Sequence, residues 1–402
     1  MNKYSGHFSE NVKHITHHLC HASAAMIMSP FEKALIVVID GAGSNALDFS
    51  ENHAEKSFVP QAIDVDGYLE ESSVYSINHG KLNCLEKNWQ KFVKNDRAVG
   101  HSFSDGLGSL YEKTAEYIFN DKRAAGKVMG LAAFGRPFEI IKRSVFLERL
   151  DWTLAFNGSS KNQWESSKHF NTYANIAASV QNHFENSVMN LVKELQKKYS
   201  EYENLILVGG CALNCTTNMK LVNSGLFKSI YIPPFPGDES IGLGAASYLY
   251  HYVKKNPFQV RPWQKQVSYF GAQRSVPTEE EIRKEFEGAE GLEIIKPQSI
   301  EVFVAEQLAQ FKILGWCQGR SETGPRALGN RSILARVDRS GLKNRLNSEI
   351  KMRENFRPYG CSILHEEAHK YFDIPEGFEN PFMSFAVKTR PEYLQTLHEV
   401  TH

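Results

Sequence analysis

Residues 32–44, EKALIVVIDGAGS, decide the fold class. The apolar, mostly β-branched run at 34–39 has the length of a strand buried on both faces and is too short for a buried helix. It closes on Asp40 and a Gly41-x-Gly43 turn, which reads as a strand ending in a phosphate-type loop. Residues 204–214, NLILVGGCALN, repeat the pattern with Gly209 and Gly210 at the exit. Between the two, Ile176, Val180, Phe184, Val188, Leu191 and Leu195 fall on one face at helical spacing, so 171–199 is predicted as a helix. A third short strand at 229–235, SIYIPPF, precedes PGDESIGLGAASYLYHYV, and 73–87, SVYSINHGKLNCLEK, reads as a hairpin turning at Gly80. Strands alternating with helices, with glycines at strand exits, predict an α/β architecture that binds ligands at the C-terminal ends of its strands.

The rest of the chain sets bounds. Its 402 residues suffice for two or three domains with a substantial core, and 42% hydrophobic with 23% charged residues is ordinary for a globular protein. Lys plus Arg equals Asp plus Glu at 46 each, so no global field holds nucleic acid or an anionic membrane. The first fourteen residues lack the apolar core of a secretory signal, and six scattered cysteines without C-x-x-C pairs suit reduced thiols, so a cytoplasmic location is expected. Composition shifts at 254–282, a proline-punctuated connector ending in a Thr278/Glu281 capping box, which predicts domains at 1–264 and 265–402. Beyond it, 299–311 reads as a helix and 312–319 as a strand of a smaller second domain.

Four histidines, His14, His17, His18 and His21, crowd HITHHLCHASAA, interleaved with apolar residues in a way that excludes an affinity tag. His17 and His21 are four apart and share a helix face, the usual helical offer of two imidazoles to one divalent metal. Two ligands are too few; Asp40 at the next strand exit is the obvious third, and Asp238 in PGDES a further one. The competing interpretation is a solvated, histidine-rich helix start. The loops DGAGS, VGGCALN and PGDESIGLG place small residues where backbone N–H groups could approach phosphate, though Asp-Gly and Gly-Gly are also common turn dipeptides. Their order is that of the actin-like and sugar-kinase ATPase fold. Cys211 and Cys215 fit small buried thiols better than metal ligands. Residues 319–360 gather Arg320, Arg326, Arg331, Arg336, Arg339, Lys343, Arg345, Lys351, Arg353 and Arg357. Guanidiniums so placed recognise a small, highly charged anion, unless they pair with Glu322, Asp338, Glu349 and Glu354.

These motifs, in this order, resemble the O-carbamoyltransferases that tailor nodulation factors, cephalosporins and aminoglycosides. The likeness runs through HHLCHASAA, VVIDGAG, GKVMGLAAFG, IAASVQ, VGGCALNC, GDESIGLGAA, GRSETGPRALGNRSILA and IKMRENFRPYG. The resemblance implies an actin-like first domain, akin to the protein that transfers threonylcarbamoyl to tRNA, and a YrdC-like second domain. It further implies that the second domain makes carbamoyl-adenylate from carbamoyl phosphate and ATP, and that the first passes the carbamoyl group to a hydroxyl of a sugar or secondary metabolite. Carried onto this sequence, the metal, of the Fe2+ type with Mg2+ accompanying ATP, is held by His17, His21, Asp40 and Asp238, with no such role for His14 or His18. The cationic pocket for carbamoyl phosphate falls on Arg326, Lys351 and Arg357. The nucleotide cleft falls on Gly41, Gly43, Lys127, Gly209, Gly210, Asn214 and Gly237.

Family members extend beyond this chain at both ends, so the expectation is an incomplete first lobe with an unpaired strand edge, an incomplete second domain, and a need for a complementing chain or a homo-oligomer. Two other functions compete: a non-catalytic scaffold subunit, and carbamoyl transfer to a macromolecule such as tRNA, which the balanced charge opposes. The acceptor is expected to meet the segments FSDGLGSLYEKT and WESSKHFNTY.

Overall fold

The computed structural model describes residues 14–49, 56–59, 61, 67–94, 102–258, 268–272 and 277–402. The N-terminal segment expected to lack a signal core and much of the connector lie outside the described residues. By its internal contacts the chain divides into two units. The first is Met1–Gln264 with Asn347–Arg357 and Ser384–Val387; the second is Lys265–Leu346, Pro358–Met383 and Lys388–His402.

In the first unit, α1 (His17–Met28) leads into β1 (Lys33–Ile39), β2 (Tyr68–Asn78), β3 (Lys81–Lys94) and β4 (Ser102–Ser104). Helices α2 (Leu107–Phe119), α3 (Ala125–Ala132), α4 (Arg143–Arg149), α5 (Lys161–Glu165) and α6 (Phe170–Lys198) follow. The chain then returns through β5 (Asn204–Val208), α7 (Cys215–Ser224), β6 (Ser229–Tyr231) and α8 (Ile241–Tyr248). The architecture is mixed α/β, with one sheet in the order β4-β3-β2-β1-β5-β6. β1 runs antiparallel to β2 and parallel to β5, and β5 is parallel to β6. The first strand is therefore interior to the sheet, paired on both sides, and the edges are β4 and β6.

Local chemistry accounts for these elements. The hairpin between β2 and β3 turns on His79 and Gly80, both at positive φ (46° and 77°), the requirement of a two-residue turn matched to strand twist. Alternation splits β1 and β5 between two layers. Leu35, Val37, Ile39, Leu205 and Leu207 join a core with Leu110, Ile118, Val180, Phe184 and Val188 from α2 and α6. The intervening Ile36, Val38 and Ile206 are also buried, on the face that α1 covers. Each such side chain contributes about 1.5–3 kcal/mol of burial. In α6 the position expected for Leu191 is taken by Val192, which is fully buried, while Leu191 packs at the margin.

The two segments expected to meet an acceptor are largely regular structure. Residues 107–114 belong to α2, and 164–173 span the end of α5 and the start of α6, with Trp164 and Tyr173 buried. The stretch Asn347–Arg357 packs with the first unit despite lying late in the sequence: Phe356 stands 5.2 Å from Trp164, ring to ring.

The second unit contains α9 (Glu279–Glu285) with its Thr278/Glu281 capping box, α10 (Ile300–Ala309) capped by Ser299, and β7 (Leu314–Cys317) antiparallel to β8 (Arg331–Leu334). Among the described residues no helix is long and apolar enough to cross a membrane.

Candidate metal centre

Helix α1 has no side-chain cap of its own at Thr16. Its first amides are instead held by neighbouring strand ends: His17 N donates to Ser44 Oγ (2.9 Å) and His18 N to Glu70 Oε2 (3.4 Å). This docks the first turn of α1 on the loop that leaves β1 and aims His17 and His21 toward Asp40. The parallel register Val38↔Val208 sets the exits of β1 and β5 side by side, so Asp40 Oδ1 accepts from Gly210 N at 2.9 Å. Gly209 N donates to Pro236 O at 2.8 Å, which brings the Gly237–Asp238 loop beside them.

The result is a cluster of four. His17 Nε2 stands 2.8 Å from Asp40 Oδ2 and 3.3 Å from Asp238 Oδ1; His21 Nε2 stands 3.4 and 3.6 Å from the same two atoms. The two Nε2 atoms are 3.2 Å apart, and the four ligating atoms all lie within 4.8 Å of one another. His21 and Asp40 are buried, His17 is partly so, and Asp238 is exposed, which leaves one side of the cluster open.

Electrostatics and hydrogen bonding agree on what the cluster wants. Burial disfavours a charge on His17, yet hydrogen bonds with Asp238 and Asp40 raise it to about 10; His21 is raised against its burial by the same two carboxylates. Burial pushes Asp40 up, but its hydrogen bonds with His17 and His21 hold it well below the usual carboxylate range, and Asp238 is depressed by the same histidines. The two carboxylates thus favour a proton on the histidine pair, whose Nε2 atoms lie 3.2 Å apart and titrate together. A divalent cation in place of that proton balances the charge. Ser240 Oγ donates to Gly237 O (2.8 Å) and so accepts from His21 Nδ1 (3.2 Å), which leaves the Nε2 lone pair facing the cluster. Two imidazoles with two carboxylates suit Fe2+, Mn2+ or Zn2+. The residues present fit a divalent metal.

The remaining site residues named from the sequence fare differently. His18 is fully buried, hydrogen-bonded to Ser73 Oγ at 2.8 Å, and lowered by burial to about 4, so it takes no part in the cluster. In the glycine loops Gly43 N donates to Glu70 O, Gly209 N to Pro236 O and Gly210 N to Asp40 Oδ1, so these amides lace strand exits together. Asn214 is buried, caps α7 through Thr217 N, and bonds Gln181 and Tyr111. Lys127 forms an ion pair with Glu354 (2.8 Å), whose other oxygen stands 3.7 Å from Arg357. Gly41 lies against Glu112, where an added Cβ would meet Oε1 at 2.7 Å.

Lys351 and Arg357 were expected in the second domain with Arg326. They belong to the segment that packs with the first unit, and Arg326 alone lies in the second. There, the arginine loop is ordered by Glu322, whose Oε1 accepts from Leu328, Asn330 and Arg331 N at 2.7, 2.9 and 3.2 Å. Other cations of the run have structural partners: Arg331 donates to the carbonyls of Gln318 and Asn330, Arg336 pairs with Asp338, and Arg336 and Arg339 both stand over the Phe311 ring.

Reasoning from sequence missed Ser44, Glu70, Lys87, Glu112 and Ser240. Glu70 and Lys87 form a completely buried ion pair behind the cluster. Burial works against the Glu70 charge, but His18, Lys87 and the Ser44 amide hold its pKa below the usual range. Glu112 is raised by burial and by the neighbouring Asp40. Folding the β2–β3 strands about Gly80 sets Lys87 opposite Ser73, close to Glu70, so the hairpin register was the signal available.

Comparison with known proteins gives two family matches: the carbamoyltransferase N-terminus at residues 3–247 and the carbamoyltransferase C-terminus at 305–402. Nodulation protein NolNO of Sinorhizobium fredii is 31% identical over 97% of this chain and 53% of its own length. Nodulation protein NolO of Bradyrhizobium diazoefficiens is 30% identical over 96% of this chain and 65% of its own. The chain thus spans between about half and two thirds of the length of these curated relatives. Among solved structures, HypF of T. kodakarensis overlaps 60% of this chain and 37% of its own at 12% identity and a TM-score of 0.33.

Proposed function

Because this chain belongs to the carbamoyltransferase family, we propose that it serves ATP-dependent transfer of the carbamoyl group of carbamoyl phosphate, by way of carbamoyl-adenylate, to a hydroxyl of a sugar or secondary metabolite. The observation that carries this reading is the convergence of His17, His21, Asp40 and Asp238 within the family's N-terminal region. The first unit is assigned the transfer step and the second, YrdC-like, the formation of the adenylate, in a reducing cytoplasmic setting that suits six free cysteines.

The four ligands hold a divalent metal, for which we propose Fe2+, with Mg2+ accompanying ATP. When bound, such an ion polarises a phosphate or carbonyl oxygen as a Lewis acid. The protein's own groups do the rest. Ser240 keeps the His21 imidazole in the tautomer whose Nε2 faces the cluster. The Gly210 amide holds Asp40 by one oxygen and leaves the other for the site. Glu112, raised by burial and by Asp40, lies beside Gly41 and is assigned to take up the proton of the acceptor hydroxyl. Arg326, Lys351 and Arg357 are assigned to the phosphate of the donor and the adenylate, where guanidinium forks offset anionic charge. A mixed anhydride such as carbamoyl-adenylate hydrolyses in water, which requires that it be made and used in enclosed, charge-lined space.

The test is incubation with carbamoyl phosphate, ATP and ferrous iron, followed by assay of pyrophosphate and of carbamoyl-adenylate. Both are expected from the wild-type protein; His17→Ala with His21→Ala is expected to keep forming both, because the second unit makes the adenylate, and to lose transfer of the carbamoyl group to an added hydroxyl compound. Absence of both products from the wild-type protein contradicts the proposal.

A further inference from the structure

Glu70 is a fully buried carboxylate of the first unit that the proposed chemistry does not use. Its carboxylate and the Lys87 ammonium are both completely buried, an arrangement that well-packed apolar residues could replace without loss of stability. Its position gives it a different meaning. One oxygen, Oε2, accepts from Ser44 N at 2.9 Å and from His18 N at 3.4 Å. The first amide belongs to the loop that follows Asp40, the second to the first turn of α1 beside His17. The Glu70 backbone completes the joint: Gly43 N donates to its carbonyl at 2.9 Å, and its own N–H donates to Ser44 O at 3.1 Å. Ser44 in turn receives the His17 amide on its hydroxyl at 2.9 Å.

The second oxygen, Oε1, is held by Lys87 Nζ, which also reaches Tyr75 Oη at 3.0 Å. Lys87, with His18, keeps the fully buried carboxylate ionised. A buried anion at the N-terminus of α1 also offsets the positive end of the helix dipole. Space is tight around the joint: a Cβ on Gly43 would lie 2.6 Å from Glu70 Oε2 and 2.8 Å from His18 Cδ2.

We propose that Glu70, locked by Lys87, is a positioning residue for the metal centre, a single carboxylate that ties the histidine-bearing turn of α1 to the loop leaving Asp40. The inference rests on the metal reading above. Without the tie, the turn of α1 that supplies His17 and the loop that follows Asp40 lose a hydrogen-bonded link between them, and the ligand geometry relaxes. Groups that orient metal ligands typically change affinity 10–100-fold when removed.

The experiment titrates the full chain with Co2+, followed by visible absorption and by calorimetry, for wild type, Glu70→Gln, Ser44→Ala and the double variant Glu70→Leu with Lys87→Met. The double variant removes both buried charges together, so neither is left unpaired, and Ser44→Ala perturbs the same joint without touching the ion pair. Circular dichroism establishes folding of each. The expected result is a 10–100-fold weaker Co2+ affinity and an altered absorption envelope in the double variant, with a smaller loss in Ser44→Ala. Wild-type binding together with unchanged affinity and spectrum in the folded variants overturns the inference alone. Failure of the wild-type chain to bind Co2+ overturns the metal reading and this inference with it.

Discussion

Replacement of Gly209 by alanine tests the link between the sheet and the site. Gly209 has φ 88° and ψ 166°, a region essentially restricted to glycine, and an L-residue there costs about 1–3 kcal/mol. The added Cβ would also stand 2.2 Å from Ile39 O and 2.7 Å from Ile39 C. Reaching ordinary contact distance requires β1 and β5 to part by about 1 Å at their ends, in a region as densely packed as a crystal. Overpacking of that kind adds about 1–3 kcal/mol, so the total loss is roughly 2–6 kcal/mol. The displacement bears directly on function, because the next residue's amide holds Asp40 Oδ1 at 2.9 Å. Metal affinity is therefore expected to fall about 10–100-fold in the fraction that folds. Urea denaturation followed by tryptophan fluorescence reads the first quantity, and Co2+ titration reads the second. Gly126→Ala is the control: nothing lies within 4 Å of its added Cβ, and in the first turn of α3 the change is expected to leave stability unchanged or raise it by up to about 0.5 kcal/mol. A Gly209→Ala protein as stable as wild type, with unchanged Co2+ affinity, would refute the reasoning.

Further expectations follow from the same contacts. Ser240→Ala frees His21 Nδ1 from its acceptor, and metal affinity should fall about tenfold with little change in stability, as measured by calorimetry and denaturation. Metal binding should weaken as pH falls, because a cation must displace the proton that Asp238 and Asp40 keep on the histidine pair by raising His17 to about 10. Calorimetry in buffers of different ionisation enthalpy should record proton release at neutral pH; binding with no proton release contradicts a proton held on the histidine pair. Glu322→Ala leaves the amides of Leu328, Asn330 and Arg331 without their acceptor, which should cost about 1–3 kcal/mol and speed hydrogen exchange across 323–331.

The sequence was most legible where a period or a turn signal was strong. The strand at 33–39, the helix at 170–198, the hairpin at Gly80 and the capping box at Thr278 all follow from local pattern. The histidine pair was visible because four-residue spacing sets two imidazoles on one helix face, and Asp40 because a strand exit brings its side chain to the same end of the sheet. In the glycine loops spacing reports where an amide lies and not whether it is already bonded; Gly209 and Gly210 tie strands together. The placement of Asn347–Arg357 with the first unit could not be read from chain order, since it depends on Phe356 finding Trp164 and Phe119. Glu70 was hidden by its setting: YLEESSVYSIN looks half polar, yet Glu70, Ser72, Ser73 and Ser76 are all buried.

The central claim is that three strand exits and one helix face build a single divalent-metal centre. Metal analysis of the chain after loading with ferrous iron under anaerobic conditions and gel filtration tests it most directly. One iron per wild-type chain, and none in the His17→Ala, His21→Ala double variant with its fold intact, is the predicted result. Iron retained equally by that double variant, or no iron retained by the wild-type chain, would contradict it.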